Sequence, residues 1–116
     1  MKRPLEWKWL GWRDLEALDL YAILQLRQKV FIVEQNCPYL DSDGLDDKCH
    51  HLLGKANGDL AAYLRVFAPG VLRAEIVIGR VVTSPSIRGT GMGRPLMRKG
   101  QEAAYETFGR HAIFLS

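Results

Sequence analysis

Arg88-Gly89-Thr90-Gly91-Met92-Gly93 follows an apolar run, Ile76 to Val82, and precedes Leu96 to Phe108, whose apolar residues recur at helical spacing. A strand feeding a glycine-rich turn and then a helix start predicts an anion site. The first N–H groups of a helix lack partners, and the helix dipole favours negative charge there. Glycines let the backbone come close to a phosphate because no Cβ intervenes. An ordinary strand-to-helix turn would need one glycine, whereas here Gly89, Gly91 and Gly93 alternate. Their cost in backbone entropy and helix propensity argues for a ligand.

The register of the glycines excludes two common phosphate loops. A Walker loop requires Gly-Lys-Ser/Thr, which does not occur. A dinucleotide fingerprint requires G-x-G-x-x-G after the first strand of a βαβ unit. Here the glycines sit late, in the pattern R-x-x-G-x-G after Thr83-Ser84-Pro85-Ser86.

Outward from the loop, the chain reads as one α/β domain over residues 1–116. Leu5 to Leu10 predicts a first strand, and Asp19 an N-cap for a helix carrying Leu20, Ile23, Leu24, Val30 and Phe31. Arg27 falls inside that apolar stripe and Glu34 continues it one heptad later, which predicts a buried Arg27–Glu34 pair. Residues 35–48 are polar and irregular and predict a long loop with one helical turn. Asn57-Gly58 between apolar runs predicts a hairpin, and Glu75 to Thr83 a central strand covered on both faces. Gly109 stops the last helix, and Ala112 to Leu115 predicts a final strand. The order is β-α-(loop)-β-β-β-α-β, with an early sheet that is largely antiparallel.

Composition narrows the function classes. The net charge of +3 and pI near 9.0 suit an acidic ligand, but no Lys/Arg-dense stripe marks a nucleic-acid binder. No apolar run is long enough to span a membrane, and Met1-Lys2-Arg3-Pro4 does not begin a signal peptide, so the expectation is a cytoplasmic protein. Cys37 and Cys49 then read as free thiols. With His50 and His51 they fit no common zinc spacing, and Asp41-Ser42-Asp43-Gly44 fails the calcium-loop pattern, so no metal is expected.

At this point the chain resembles the GCN5-related N-acetyltransferases (GNAT). Val81 to Gly93 is similar to their acetyl-CoA signature. Leu26-Arg27-Gln28-Lys29-Val30-Phe31-Ile32-Val33-Glu34-Gln35-Asn36-Cys37-Pro38-Tyr39 resembles the ElaA-like branch, and Asp41, Asp43, His51 to Gly54 and Ile78 to Val81 extend the likeness. The resemblance implies an α+β mixed sheet and acetyl-CoA-dependent transfer to a small amine or N-terminal amine. It implies that the backbone of Gly89, Thr90, Gly91, Met92, Gly93 and Arg94 rings the coenzyme A pyrophosphate, with added charge from Arg88 and Arg94. Val81, Val82 and Thr83 would pair with the pantetheine amides, and an N–H there would polarise the thioester carbonyl.

Glu34, His51 and Glu75 are the base candidates, with Glu34 and His51 preferred. Asp41, Asp43, Asp46 and Asp47 form either a solvated loop or a lure for a cationic amine. The family pattern continues beyond the strand at Ser116 with a helix, which carries a tyrosine, and closing strands. The expectation is therefore a C-terminally incomplete chain, or one completed by association as a homodimer. The alternative reading is a non-catalytic module that binds coenzyme A or a protein.

Overall fold

The computed structural model describes residues 5–116. Five strands form one sheet in the order of the chain: Glu6–Gly11 (β1), His50–Ala56 (β2), Asp59–Phe67 (β3), Ile76–Thr83 (β4) and Ile113–Leu115 (β5). The first four pair antiparallel, and β5 joins β4 in parallel, with Ile76 opposite Ile113 and Ile78 opposite Leu115. The β2–β3 turn falls at Asn57-Gly58, with φ of 53° and 84°, the positive pair that a tight hairpin needs.

Alternation along the strands divides the core into two layers. Leu52, Leu64, Val66, Ile76 and Ile78 face helix α2 (Gly93–Phe108) and pack on its Leu96 and Ala104. Leu53, Tyr63 and Val82 face helix α1 (Ala17–Arg27) and pack on Ile23 and Leu26. Ile76, Val77 and Ile78 are at most 2% exposed, in keeping with a strand covered on both faces. The mixed α+β sheet thus has the element order expected from the sequence.

Two local expectations need correction. Asp19 is not the N-cap of α1; Glu16 holds that place. Asp19 lies inside the first turn, where Lys55 Nζ donates to it at 2.7 Å and Lys8 Nζ at 3.4 Å. Lysines on β1 and β2 draw its carboxylate toward the sheet, and the Lys55 hydrogen bond holds its pKa below the usual value. Nor does an α-helix continue through Phe31. Beyond Arg27 the chain adopts π-helical turns over Gln28–Glu34, with the Gln35 amide donating to Val30 O and the Cys37 amide to Ile32 O, both at 3.2 Å.

Candidate functional site

β4 ends at Thr83, where a run of turns leads to α2. The Ile87 amide donates to Ser84 O at 3.0 Å and the Thr90 amide to Ile87 O at 3.2 Å. Gly89 and Gly91 take φ of 85° and 81°, which side chains disfavour. A Cβ added at Gly89 or Gly93 would meet nothing within 4 Å, so the loop is open at both positions. Helix α2 starts without a side-chain cap and with no acidic residue in its first turn. Arg94 sits there instead. A cation at that end opposes the helix dipole, an arrangement that an anion between them relieves. Pro95 also lies in the first turn, where its missing N–H is tolerated. Gly93, Arg94, Met97, Arg98 and Gln101 form a shallow, open surface along the helix from this point.

Arg88 bridges the loop to its surroundings. Its guanidinium donates to Thr83 O at 3.3 Å and forms an ion pair with Glu34. Both side chains of that pair are a little over 40% exposed. Glu34 therefore stands at the site mouth, and its partner is Arg88 rather than Arg27. The π-helical turns explain the difference. They carry more residues per turn than an α-helix, so Glu34 rotates off the buried stripe of α1 that a heptad spacing assumes.

Arg27 turns the other way and is fully buried. Its Nε donates to Asp41 Oδ2 at 2.9 Å, Nη1 to Asp46 Oδ1 at 2.7 Å and Nη2 to Asp41 O at 2.8 Å. Arg65, from the middle of β3, binds Asp43 at 2.6 Å and Asp46 at 2.9 Å. Arg80, from β4, reaches Asp41 at 3.0 Å and Asp43 at 3.3 Å. Three arginines and three aspartates thus interlock under the loop at 41–47. The hydrogen bond from Arg65 holds Asp43 down to about 2. These aspartates are neither a solvated loop nor a lure for an amine, because buried guanidinium groups demand them as partners. Asp47 alone is largely exposed, 3.8 Å from Lys48.

His51 belongs to the same buried layer. Its Nδ1 lies 2.6 Å from Tyr63 Oη and its Nε2 2.8 Å from Asp46 O. A carbonyl only accepts, so Nε2 carries the proton and Nδ1 accepts from the tyrosine. The residue is 0% exposed, and burial lowers its pKa. Cys49 beside it is buried, its thiol pushed up to about 12, whereas Cys37 is exposed. Glu75 precedes β4 and pairs with Arg73 at 3.5 Å, away from the loop.

The fold therefore brings together Thr83, Arg88, Gly89 to Arg94 and Glu34, and it keeps His51 apart from them. Val81 is 37% exposed while Val82 is buried against α1. Among the described residues, no group of three or more His, Cys, Asp or Glu is placed to hold a metal ion, and no helix is long and apolar enough to cross a membrane. The roles of Arg65 and Arg80 escaped the sequence reading. Each is an arginine inside an apolar strand run, and such a residue needs a partner from somewhere in the chain.

Comparison with known proteins bears on this geometry. Residues 9–116 match the model of the acetyltransferase (GNAT) family. A UPF0039 protein of Synechocystis is 44% identical over 94 residues, covering 80% of this chain and 61% of that protein. Protein ElaA of Escherichia coli is 41% identical over 113 residues, covering 96% of this chain and 74% of ElaA. The crystal structure of an acyl-CoA N-acyltransferase from Pseudomonas aeruginosa superposes with a TM-score of 0.91 at 43% identity, over 96% of this chain and 77% of that one. The chain thus spans between three-fifths and four-fifths of the length of these relatives. On the match along nearly its whole length, the chain belongs to the acetyltransferase (GNAT) family, on its ElaA-like branch.

Proposed function

We propose that this chain moves the acetyl group of acetyl-CoA to a small amine or an N-terminal amine, in the cytoplasm. One observation carries the reading: the uncapped, basic start of α2 meets an open glycine loop at the end of β4. Amides of Gly89, Gly91, Met92, Gly93 and Arg94 hold the pyrophosphate, the Thr90 amide being tied to Ile87 O, and Arg88 and Arg94 supply charge-assisted hydrogen bonds. Val81, Val82 and Thr83 present strand backbone to the pantetheine amides, and an N–H there polarises the thioester carbonyl. A neutral amine attacks that carbonyl, the amine loses a proton, and the thiolate leaves and is protonated. Glu34 is the carboxylate at the mouth and the base in this reading. His51 holds the loop above it through Asp46 O and serves structure.

The second reading is a module that binds coenzyme A or a protein without turnover. It is favoured by the pairing of Glu34 with Arg88 and the burial of His51, which leave both base candidates engaged. Calorimetry with coenzyme A on the wild-type chain and on Gly91→Glu tests the site. The glutamate places a side chain and a like charge against the pyrophosphate and should abolish binding; unchanged affinity overturns the assignment. Thiol release from acetyl-CoA across an amine panel separates the readings, since binding without release supports the module.

A further inference from the structure

Strand β4 reverses its own alternation. Ile76 and Ile78 pack on α2, and strict alternation would send Arg80 to the same face. Instead Val82 packs with Tyr63 on the α1 face, and Arg80 reaches Asp41 and Asp43 on that side. The reversal is a bulge. Arg65 lies opposite Gly79, and Tyr63 opposite Val82, so β4 has one residue more than β3 between the two pairs. Its pivot is Arg80, with φ of 51°, a left-handed conformation that costs a residue with a Cβ. Below the bulge, β4 is laddered to β5 at Ile76, Val77 and Ile78.

Something must hold Arg80 in that conformation, and the arginine–aspartate cluster is in place to do so. Arg80 Nε donates to Asp41 Oδ1 at 3.0 Å, and Nη2 donates to Asp41 O at 3.2 Å and to Asp43 Oδ2 at 3.3 Å. Asp41 is itself anchored to α1 through Arg27, and Asp43 to β3 through Arg65. The Tyr39 ring lies 5.8 Å from the guanidinium. The loop at 41–47 thus acts as a fixed jaw on an otherwise unfavourable backbone.

We propose that Arg80 is a positioning residue. Held by Asp41 and Asp43, it fixes the bulge that aims the backbone of Val81, Val82 and Thr83 at the acyl donor. This rests on the coenzyme A reading above. It predicts that what matters at position 80 is a left-handed backbone, not a charge near the ligand.

Glycine takes that conformation freely, and alanine only at a cost. Coenzyme A affinity is therefore measured by calorimetry for the wild type, Arg80→Ala and Arg80→Gly, with the backbone amide shifts of Val81 to Thr83 and the melting temperature of each. Arg80→Ala should weaken binding about tenfold and move those shifts, and Arg80→Gly should recover affinity to within about threefold of wild type and restore the shifts. Equal weakening in both overturns the proposal, because binding would then depend on the Arg80 side chain and not on the backbone conformation at position 80. Wild-type affinity in both overturns it as well. If Arg80→Ala does not fold, Arg80→Gly decides alone, since a folded glycine variant that binds tenfold more weakly is contrary to the proposal. If the wild type itself fails to bind coenzyme A, the ligand reading fails. The amide shifts then judge the bulge separately: unmoved in Arg80→Ala, they refute it.

Discussion

Replacing Arg27 by methionine tests the buried cluster. Arg27, Arg65 and Arg80 balance Asp41, Asp43 and Asp46, so the substitution leaves one uncompensated negative charge under the loop. Breaking a buried ion pair from one side costs about 3–5 kcal/mol. Here each orphaned carboxylate retains a second arginine, Asp41 through Arg80 at 3.0 Å and Asp46 through Arg65 at 2.9 Å. Methionine also refills most of the volume. The expected loss is therefore at the low end, about 3 kcal/mol. A domain of this size has a stability of about 5–15 kcal/mol, and a urea slope near 1.5 kcal/mol per M makes the loss a fall of about 2 M in midpoint. Urea unfolding followed by circular dichroism reads it. Adding Asp46→Asn should recover part of the loss, because the surplus charge disappears while Arg65 keeps Asp43. A midpoint drop below about 0.5 M, or a second substitution that simply adds its own cost, would refute the charge-balance argument.

Glu34→Gln should free Arg88 for the ligand. An exposed pair is worth about 0.2–1 kcal/mol, so coenzyme A should bind up to about fivefold more tightly by calorimetry while acetyl transfer slows; weaker binding would contradict the competition. Arg65 lowers Asp43 from 3.8 to about 2, so the stability this carboxylate supplies is complete above pH 3.8 and is lost as the pH falls through 2. Asp43→Asn should accordingly cost about 2 kcal/mol at neutral pH, a difference that vanishes near pH 2 in acid-dependent urea titrations. Gly100→Ala would bring a Cβ within 2.8 Å of Leu64 Cδ2. The overpacking, about 1–3 kcal/mol, outweighs the helix-propensity gain of about 1, so the melting temperature should fall rather than rise.

Elements with a local signature were legible before any fold was known. The Asn57-Gly58 hairpin, the apolar run of β4 and the Gly109 stop of α2 each follow from a few adjacent residues. The glycine loop was legible for the same reason. What failed was long-range. Asp41 and Arg80 are 39 positions apart, and nothing near either one announces the other. The π-helical turns after Arg27 broke a periodicity argument that assumes 3.6 residues per turn, and with it the expected partner of Glu34. Asp19 looked like a cap because its type suits one, yet two lysines on the sheet decided its place.

The contrast between the solvent-facing Glu34–Arg88 tie and the enclosed arginine–aspartate cluster gives ionic strength an unusual grip on this molecule. At about 0.15 M salt the screening length is near 8 Å, which weakens pairs that water can reach and hardly touches enclosed ones. Raising salt should therefore loosen the mouth of the site while the body of the domain keeps its melting behaviour. Solution conditions can thus change how the loop meets a charged ligand without first putting the fold at risk.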